Sequence, residues 1–197
     1  METIIGLAVG IGLSAACGLR VFVPLMGLSI AAHFGYISPA HGFQWMGTWP
    51  ALIAFITATV LEVGTYYFPW IDNMLDAIMT PAAIVAGTIS TAAMVGDISP
   101  FLKWSTAIIA GGGISALVQG GTVALRTKST AATGGAANPL VSTGELAGSA
   151  LLTICAIVLP ILGLVIVAWI CYVFVEKIGK APFIRNIFSR GSRQRQS

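Results

Sequence analysis

Arg20 and Glu62 stand inside apolar runs, where charge is costly, and Arg126 stands just beyond one; chemistry in this chain is sought first at these three residues. Arg20 lies between Gly18-Leu19 and Val21-Phe22-Val23-Pro24. A guanidinium at that depth is expensive unless it faces water, an anion or a carboxylate. One role is an anion clamp, a permanently charged planar fork that grips phosphate or carboxylate through two bonds. The other is structural: a pair with Glu62 or Asp97, or a side chain that snorkels to an interface. Glu62, well inside the second apolar run, is either a proton carrier or the counter-charge of an arginine. Arg126 is followed by Thr127, Ser129, Thr130, Thr133, Gly134, Gly135 and Asn138-Pro139. Hydroxyls, an amide and glycine N–H groups can line an anion site without adding charge. The same composition also suits a solvated loop. It is not a phosphate-binding P-loop, because the terminal Gly-Lys-Ser/Thr is missing.

The remaining polar residues are weaker candidates. Asp97 and Glu145 stand near the ends of apolar runs. Asp72 and Asp76 share a face if their segment is helical, and with Asn73 they fit a solvated helix end and its cap better than a metal site. His33 and His41 are isolated. Cys17, Cys155 and Cys171 sit in apolar runs without a CxxC pair or a neighbouring histidine, so free thiols are expected, and no metal or cofactor. No Ser/His/Asp set or spaced carboxylate pair appears, so no enzyme activity is expected. Nor is a nucleic-acid partner.

The elements that must position these residues are membrane helices. Of 197 residues 56% are hydrophobic and 9% charged, against about 25% charged in ordinary soluble domains. Mean hydropathy is +0.90. The expected fold is an all-α membrane protein forming one domain over 1–197, with five transmembrane helices near 4–32, 49–70, 79–98, 101–125 and 146–175. Glu2 is the only charge before Arg20, so the first run reads as a retained span and not as a secretory signal. The first and last runs exceed what a bilayer needs, and Pro24 and Pro160 are their bending points. The third run, rich in small residues, belongs inside the bundle. Trp45, Trp49, Trp70, Trp104, Tyr66, Tyr67 and Tyr172 mostly flank the spans, as interfacial anchors do.

An internal echo links the halves. Gly12-Leu13-Ser14-Ala15 matches Gly113-Ile114-Ser115-Ala116, Arg20 matches Arg126, and Pro24-Leu25 matches Pro139-Leu140. Glu62 with residues 69–75 matches Glu176 with residues 182–188. Halves of about 1–78 and 101–190, joined by the span at 79–98, would form an inverted repeat with its binding site between them. The tail 176–197 holds six of the ten Lys and Arg residues and sets the C-terminus in the cytoplasm. Five crossings then put the N-terminus outside. Arg126 and Lys128 fall outside as well, against the usual charge bias. The stretch 127–145, uncharged between Lys128 and Glu145, is either a loop or a re-entrant segment, and a first segment turning back near Arg20 is the alternative to its crossing.

Gly18-Leu19-Arg20-Val21-Phe22-Val23-Pro24-Leu25, with Glu62 through Pro69 and Asp72 to Asp76, resembles the Domain of Unknown Function 4126 family of small bacterial membrane proteins. Its pattern has an early Gly-Leu-Arg-x-Phe-x-Pro, then Glu followed by Lys-x-Pro-x-x-Asp-x-x-x-Asp, then Arg leading to Asn-Pro. Pro69, Asp72, Asp76, Arg126 and Asn138-Pro139 match, while Tyr67 replaces the lysine, so no role for that cation carries over. The resemblance implies a bacterial inner-membrane setting and no particular activity.

The functional expectation is a transporter of a small anionic solute or an anionic-headgroup lipid. Arg20 and Arg126 would hold the anion and Glu62 would carry a proton or neutralise the empty site. Ser129, Thr130, Thr133 and Asn138 would add neutral hydrogen bonds. With so few spans, a homodimer or higher oligomer among membrane lipids is expected. A scaffold whose charges merely pair, and an oligomeric channel, are the competing readings.

Overall fold

The computed structural model describes residues 2–65, 72–96 and 98–179, and every regular element in them is helical. The order is α1 (Glu2–Cys17), α2 (Phe22–His33), a short 3-10 turn (Gln44–Gly47), α3 (Trp49–Thr65), α4 (Asp72–Met94), α5 (Pro100–Thr106), a π-helical stretch (Ala107–Gly112), α6 (Gly113–Thr133), α7 (Asn138–Val158) and α8 (Pro160–Gly179). Three helices are long and apolar enough to cross a membrane: Ala77–Met94 within α4, the continuous Pro100–Thr133, and α7. By length and composition they are compatible with a membrane protein. Shorter apolar helices, Thr3–Cys17, Phe22–His33, Trp49–Thr65 and Pro160–Val173, accompany them.

Local chemistry sets the ends. Ser99 accepts the Leu102 N–H at 3.4 Å and Pro100 opens α5, where a missing N–H costs nothing. Gly134, at φ 62°, ends α6 in the left-handed region that glycine enters without penalty. Leu159 precedes Pro160 and leaves helical geometry, at φ −131° and ψ 68°, so α7 stops there and α8 begins. The last run is thus interrupted at Pro160, but by a break between two helices and not by a bend within one. Pro24 does not bend the first: it lies in the opening turn of α2, and the break comes earlier, at residues 18–21.

Contacts fix the direction of each helix. Along α1 and α4, Gly6 meets Met94, Gly10 meets Thr91, and Ser14 bonds the Gly87 carbonyl at 2.6 Å, so the two are antiparallel. The stretch through Gly111 and α6 also opposes α4, with Gly111 at Thr91 and the Ser115 hydroxyl on the Ala83 carbonyl at 2.6 Å. Gly12 faces Ala156, Ser149 donates to the Ala16 carbonyl at 3.0 Å, and Arg20 reaches Ser142, so α7 opposes α1. Glu62 meets Val21 and Phe22 while Ser29 donates to the Met46 carbonyl at 2.6 Å, which sets α3 against α2. After the break, Gly27 lies at Thr153, so α2 retraces the path of α1 beside α7. Gly163 sits at Ala156, and Val167 packs with Ala15, Ala16 and Leu152, which returns α8 alongside α1.

Two sequence expectations change as a result. The apolar runs 4–32 and 146–175 are not single bent spans but helix–break–helix hairpins, because Gly18–Val21 and Leu159-Pro160 reverse the chain. The segments 127–133 and 138–145 are helical on either side of a short turn, so most of the uncharged stretch is neither loop nor irregular re-entrant backbone. The echoed segments also run in the same sense, α1 with α6, α2 with α7 and α3 with α8. The inverted relation is therefore replaced by a same-sense one: treating each hairpin as one crossing had reversed the second unit.

The core forms around α1, whose Leu13, Ser14, Ala15, Ala16 and Cys17 are all fully buried. Small residues let the backbones close in: a Cβ built on Gly10 would lie 2.9 Å from the Thr91 Cα. On α4, Ala83, Ala86, Ser90, Thr91, Ala92 and Ala93 are buried against this face. Large apolar side chains point outward instead, among them Ile53, Val60, Ile109, Leu151, Ile154, Ile161 and Trp169. In cysteine-free protein, Thr3→Cys and Tyr36→Cys are expected to react with a membrane-impermeant maleimide from one side of a vesicle and Lys128→Cys from the other. Labelling of Thr3→Cys and Tyr36→Cys from opposite sides would contradict the α1–α2 hairpin.

Candidate functional site

The break after α1 delivers Arg20 to the bundle interior, where it is 2% exposed. Its neighbour Gly18 is obligatory for this approach, since a Cβ there would stand 2.6 Å from both the Ser115 carbonyl oxygen and the Val118 Cβ. Arg20 Nη2 donates to the Ser142 carbonyl at 2.9 Å and to the Ser142 hydroxyl, and lies 3.7 Å from Glu145 Oε2. Arg126 comes from α6 and is 4% exposed. Its Nε donates to Glu145 Oε1 at 3.0 Å and its Nη2 to Glu145 Oε2, a two-pronged fork on one carboxylate. Both guanidiniums therefore meet on Glu145, which is itself 5% exposed.

Glu62 has a different task. Its Oε1 accepts the Val21 N–H at 2.7 Å and its Oε2 the Phe22 N–H at 2.9 Å. These are orphan donors at the start of α2, which has no side-chain cap of its own. A carboxylate from α3 thus satisfies them and complements the positive end of the helix. Glu62 is buried at 3% exposure and holds the hairpin tip that presents Arg20.

Toward the turn at 134–137 the polar residues form a second layer. Asn138 Nδ2 donates to the Thr130 hydroxyl at 3.0 Å. Thr133 donates to the Ser129 carbonyl at 2.8 Å and accepts the Ala137 N–H at 3.2 Å, so it caps the turn and is exposed. Ser129 and Thr130 are half-buried. The structure thus brings Arg20, Arg126 and Glu62 to one end of the bundle, with Asn138 and Thr130 nearby and Thr133 at the rim. Asp97 lies outside the described residues, as do the side chains of Asp72, Asn73 and Asp76 in the first turns of α4.

Sequence reasoning ranked Glu145 too low and missed Ser142. The signal was present: Asn138, Ser142, Glu145, Ser149 and Thr153 follow helical spacing and all are buried on one face of α7. A loop reading of 127–145 hid that period.

With this geometry in view, a family described as "Domain of unknown function (DUF4126)" matches residues 7–178. The chain belongs to that family. Within this member of the Domain of Unknown Function 4126 family, the matched span covers Arg20, Glu62, Arg126, Ser142 and Glu145. Comparison with curated proteins gives no match, and neither does comparison with solved structures.

Removing one partner of a buried ion pair strands the other, at a cost of about 3–5 kcal/mol. Glu145→Ala is therefore expected to lower unfolding stability in detergent by about that amount, whereas Thr133→Ala, at the exposed rim, should stay near ~1 kcal/mol. Equal losses would contradict the central place of Glu145. Glu62→Ala, which leaves the Val21 and Phe22 N–H groups bare, is expected to cost about 1–3 kcal/mol on the same assay.

Proposed function

We propose that this protein is a small multi-pass transporter of the bacterial inner membrane that moves an anionic solute or an anionic-headgroup lipid. The observation that carries this reading is the convergence of two buried guanidiniums on a single carboxylate inside an apolar bundle. Glu145 then stands where a substrate phosphate or carboxylate would stand. An incoming anion exchanges with Glu145 between the two forks, and Glu145 returns when the anion leaves. Arginine suits this exchange because its planar fork stays charged and grips oxyanions through paired bonds. Glu62 keeps the hairpin tip in place through the cycle. Thr130, Asn138 and Ser129 supply neutral hydrogen bonds on the way to the turn.

The helix directions support one choice of sidedness. The basic tail continues from the end of α8 that lies with Arg126 and Lys128, whereas Lys103 lies at the opposite end near Trp45, Trp49 and Trp104. Placing the arginine end in the cytoplasm puts Arg20, Arg126 and Lys128 on that side and Lys103 on the other, in line with the positive-inside rule. The misfit of Arg126 and Lys128 in a five-span layout disappears. In this reading α3, α4, α5–α6, α7 and α8 make the five crossings, and α1–α2 is a re-entrant hairpin entering from outside. The reversal at residues 18–21 returns α2 to the end at which α1 begins, with roughly 24 Å of helix in α1 and 18 Å in α2. A homo-oligomer supplies the wall that so few helices leave open.

The closed state of the site, with both arginines nearly inaccessible, favours one competitor: a scaffold in which the charges only hold helices together. Transport in proteoliposomes separates the two. Arg20→Gln is expected to abolish anion or lipid movement while the protein still purifies as a folded, monodisperse species, and Arg20→Lys is expected to recover little of it. Wild-type rates in Arg20→Gln would retire the anion-clamp reading.

A further inference from the structure

From the paired arginines and a groove beside them we infer that the anion is the headgroup of a membrane lipid from the arginine-side leaflet, with one acyl chain lying between α6 and α8. This rests on the anion-exchange reading above and names its substrate class. The groove, about 190 Å³, is lined by Leu19, Leu117, Val118, Leu125, Ile170 and Cys171, with Thr122 and Gly121 completing its floor. It is an apolar cleft with room for part of one acyl chain, and Leu117 and Leu125 in its lining face outward at 41% and 54% exposure.

Three features join the groove to the charged site. Leu19 directly precedes Arg20, and Leu125 directly precedes Arg126. Thr122, in the groove, is one helical turn before Arg126 and so shares its face. The groove also runs the right way for a lipid. From Leu125 to Leu117 it descends α6 away from the arginine end for roughly 12 Å, so a headgroup at the arginines would send its chain toward the bilayer centre.

The depth agrees. The aromatic band of Trp45, Trp49 and Trp104 marks the opposite interface. Helix α3 rises roughly 20 Å from Trp49 to Glu62. Arg20 directly precedes Val21, whose N–H Glu62 accepts, so the charged site lies near that level. In a hydrocarbon core of ~30 Å this is about 10 Å from the arginine-side surface and nearer to it than to the other, so the headgroup comes from the arginine-side leaflet and is drawn inward. A soluble anion requires the charged pair but not the groove. An anionic lipid requires both, in this register.

The test uses full-length protein in nanodiscs containing phosphatidylglycerol and phosphatidylcholine, with native mass spectrometry to count retained lipids. Glycerol 3-phosphate is titrated separately as a headgroup without chains. Wild type is expected to retain phosphatidylglycerol about tenfold over phosphatidylcholine, and glycerol 3-phosphate is expected to compete poorly. Cys171→Trp, which fills the groove without touching the arginines, is expected to lose that preference about tenfold while its weak glycerol 3-phosphate binding is unchanged. Arg20→Gln is expected to lose both. Glycerol 3-phosphate binding as tight as the lipid's, with Cys171→Trp silent, would overturn the chain groove and leave the anion site standing. Loss of all anion binding in wild type would overturn both. If Cys171→Trp changes the oligomeric state but not lipid retention, the groove belongs to a second copy of the chain and the lipid assignment fails.

Discussion

Charge in a medium of low dielectric has to be answered by opposite charge or by well-aimed hydrogen bonds, and here two arginines are answered in one place. The Glu145 carboxylate is shared between Arg126, which grips both of its oxygens, and Arg20, which approaches one of them while bonding Ser142. Three parts of the chain are tied together by this arrangement: the tip after α1, the later half of α6 and the first turns of α7. The interaction sets their relative depth more sharply than apolar packing could, because small residues sliding past one another discriminate register only weakly.

The hairpin tip illustrates how local and global demands are reconciled. Reversing the chain inside a helical bundle exposes N–H groups that water cannot reach, and each would cost free energy if left bare. Glu62 removes that cost from outside the hairpin, accepting the N–H groups of Val21 and Phe22. Elsewhere, hydroxyls do comparable work between helices. Ser14 bonds the Gly87 carbonyl and lies 2.7 Å from the Thr91 hydroxyl, and Ser115 bonds the Ala83 carbonyl. The second half of α1 can therefore be buried although it is rich in glycine and alanine. Its neighbours turn their larger aliphatic side chains outward.

Much of this was legible in the sequence, and the omissions have physical reasons. Composition pointed to apolar helices, the cost of charge in oil singled out Arg20 and Glu62, and the internal echo added Arg126; the three do gather at one end. Hydropathy could not see the reversals at Gly18–Val21 and Leu159-Pro160, because a tight break between two apolar helices leaves the average unchanged. That blind spot merged hairpins into single spans and produced the inverted relation of the halves. The Gly/Ser/Thr-rich segment after Arg126 looked like a loop because such residues favour loops in water; within a bundle the same small polar residues form helices whose hydroxyls bond the preceding turn, as Thr127 and Thr143 do. Glu145 was undervalued for the same reason, since its helical period with Asn138 and Ser142 disappears once the segment is read as irregular. The role of Glu62 as a cap depends on the distant hairpin and had no local signature.

The shared carboxylate is open to direct measurement by solid-state NMR of the protein in lipid bilayers, using carbon–nitrogen dipolar distances between labelled glutamate carboxylates and arginine guanidiniums. Arg20→Gln and Arg126→Gln samples assign the signals. The account predicts that the Glu145 carboxyl carbon is dephased by guanidinium nitrogens of both arginines, each substitution removing one contribution and leaving the other. Dephasing from a single arginine, unaffected by replacing its partner, would contradict it.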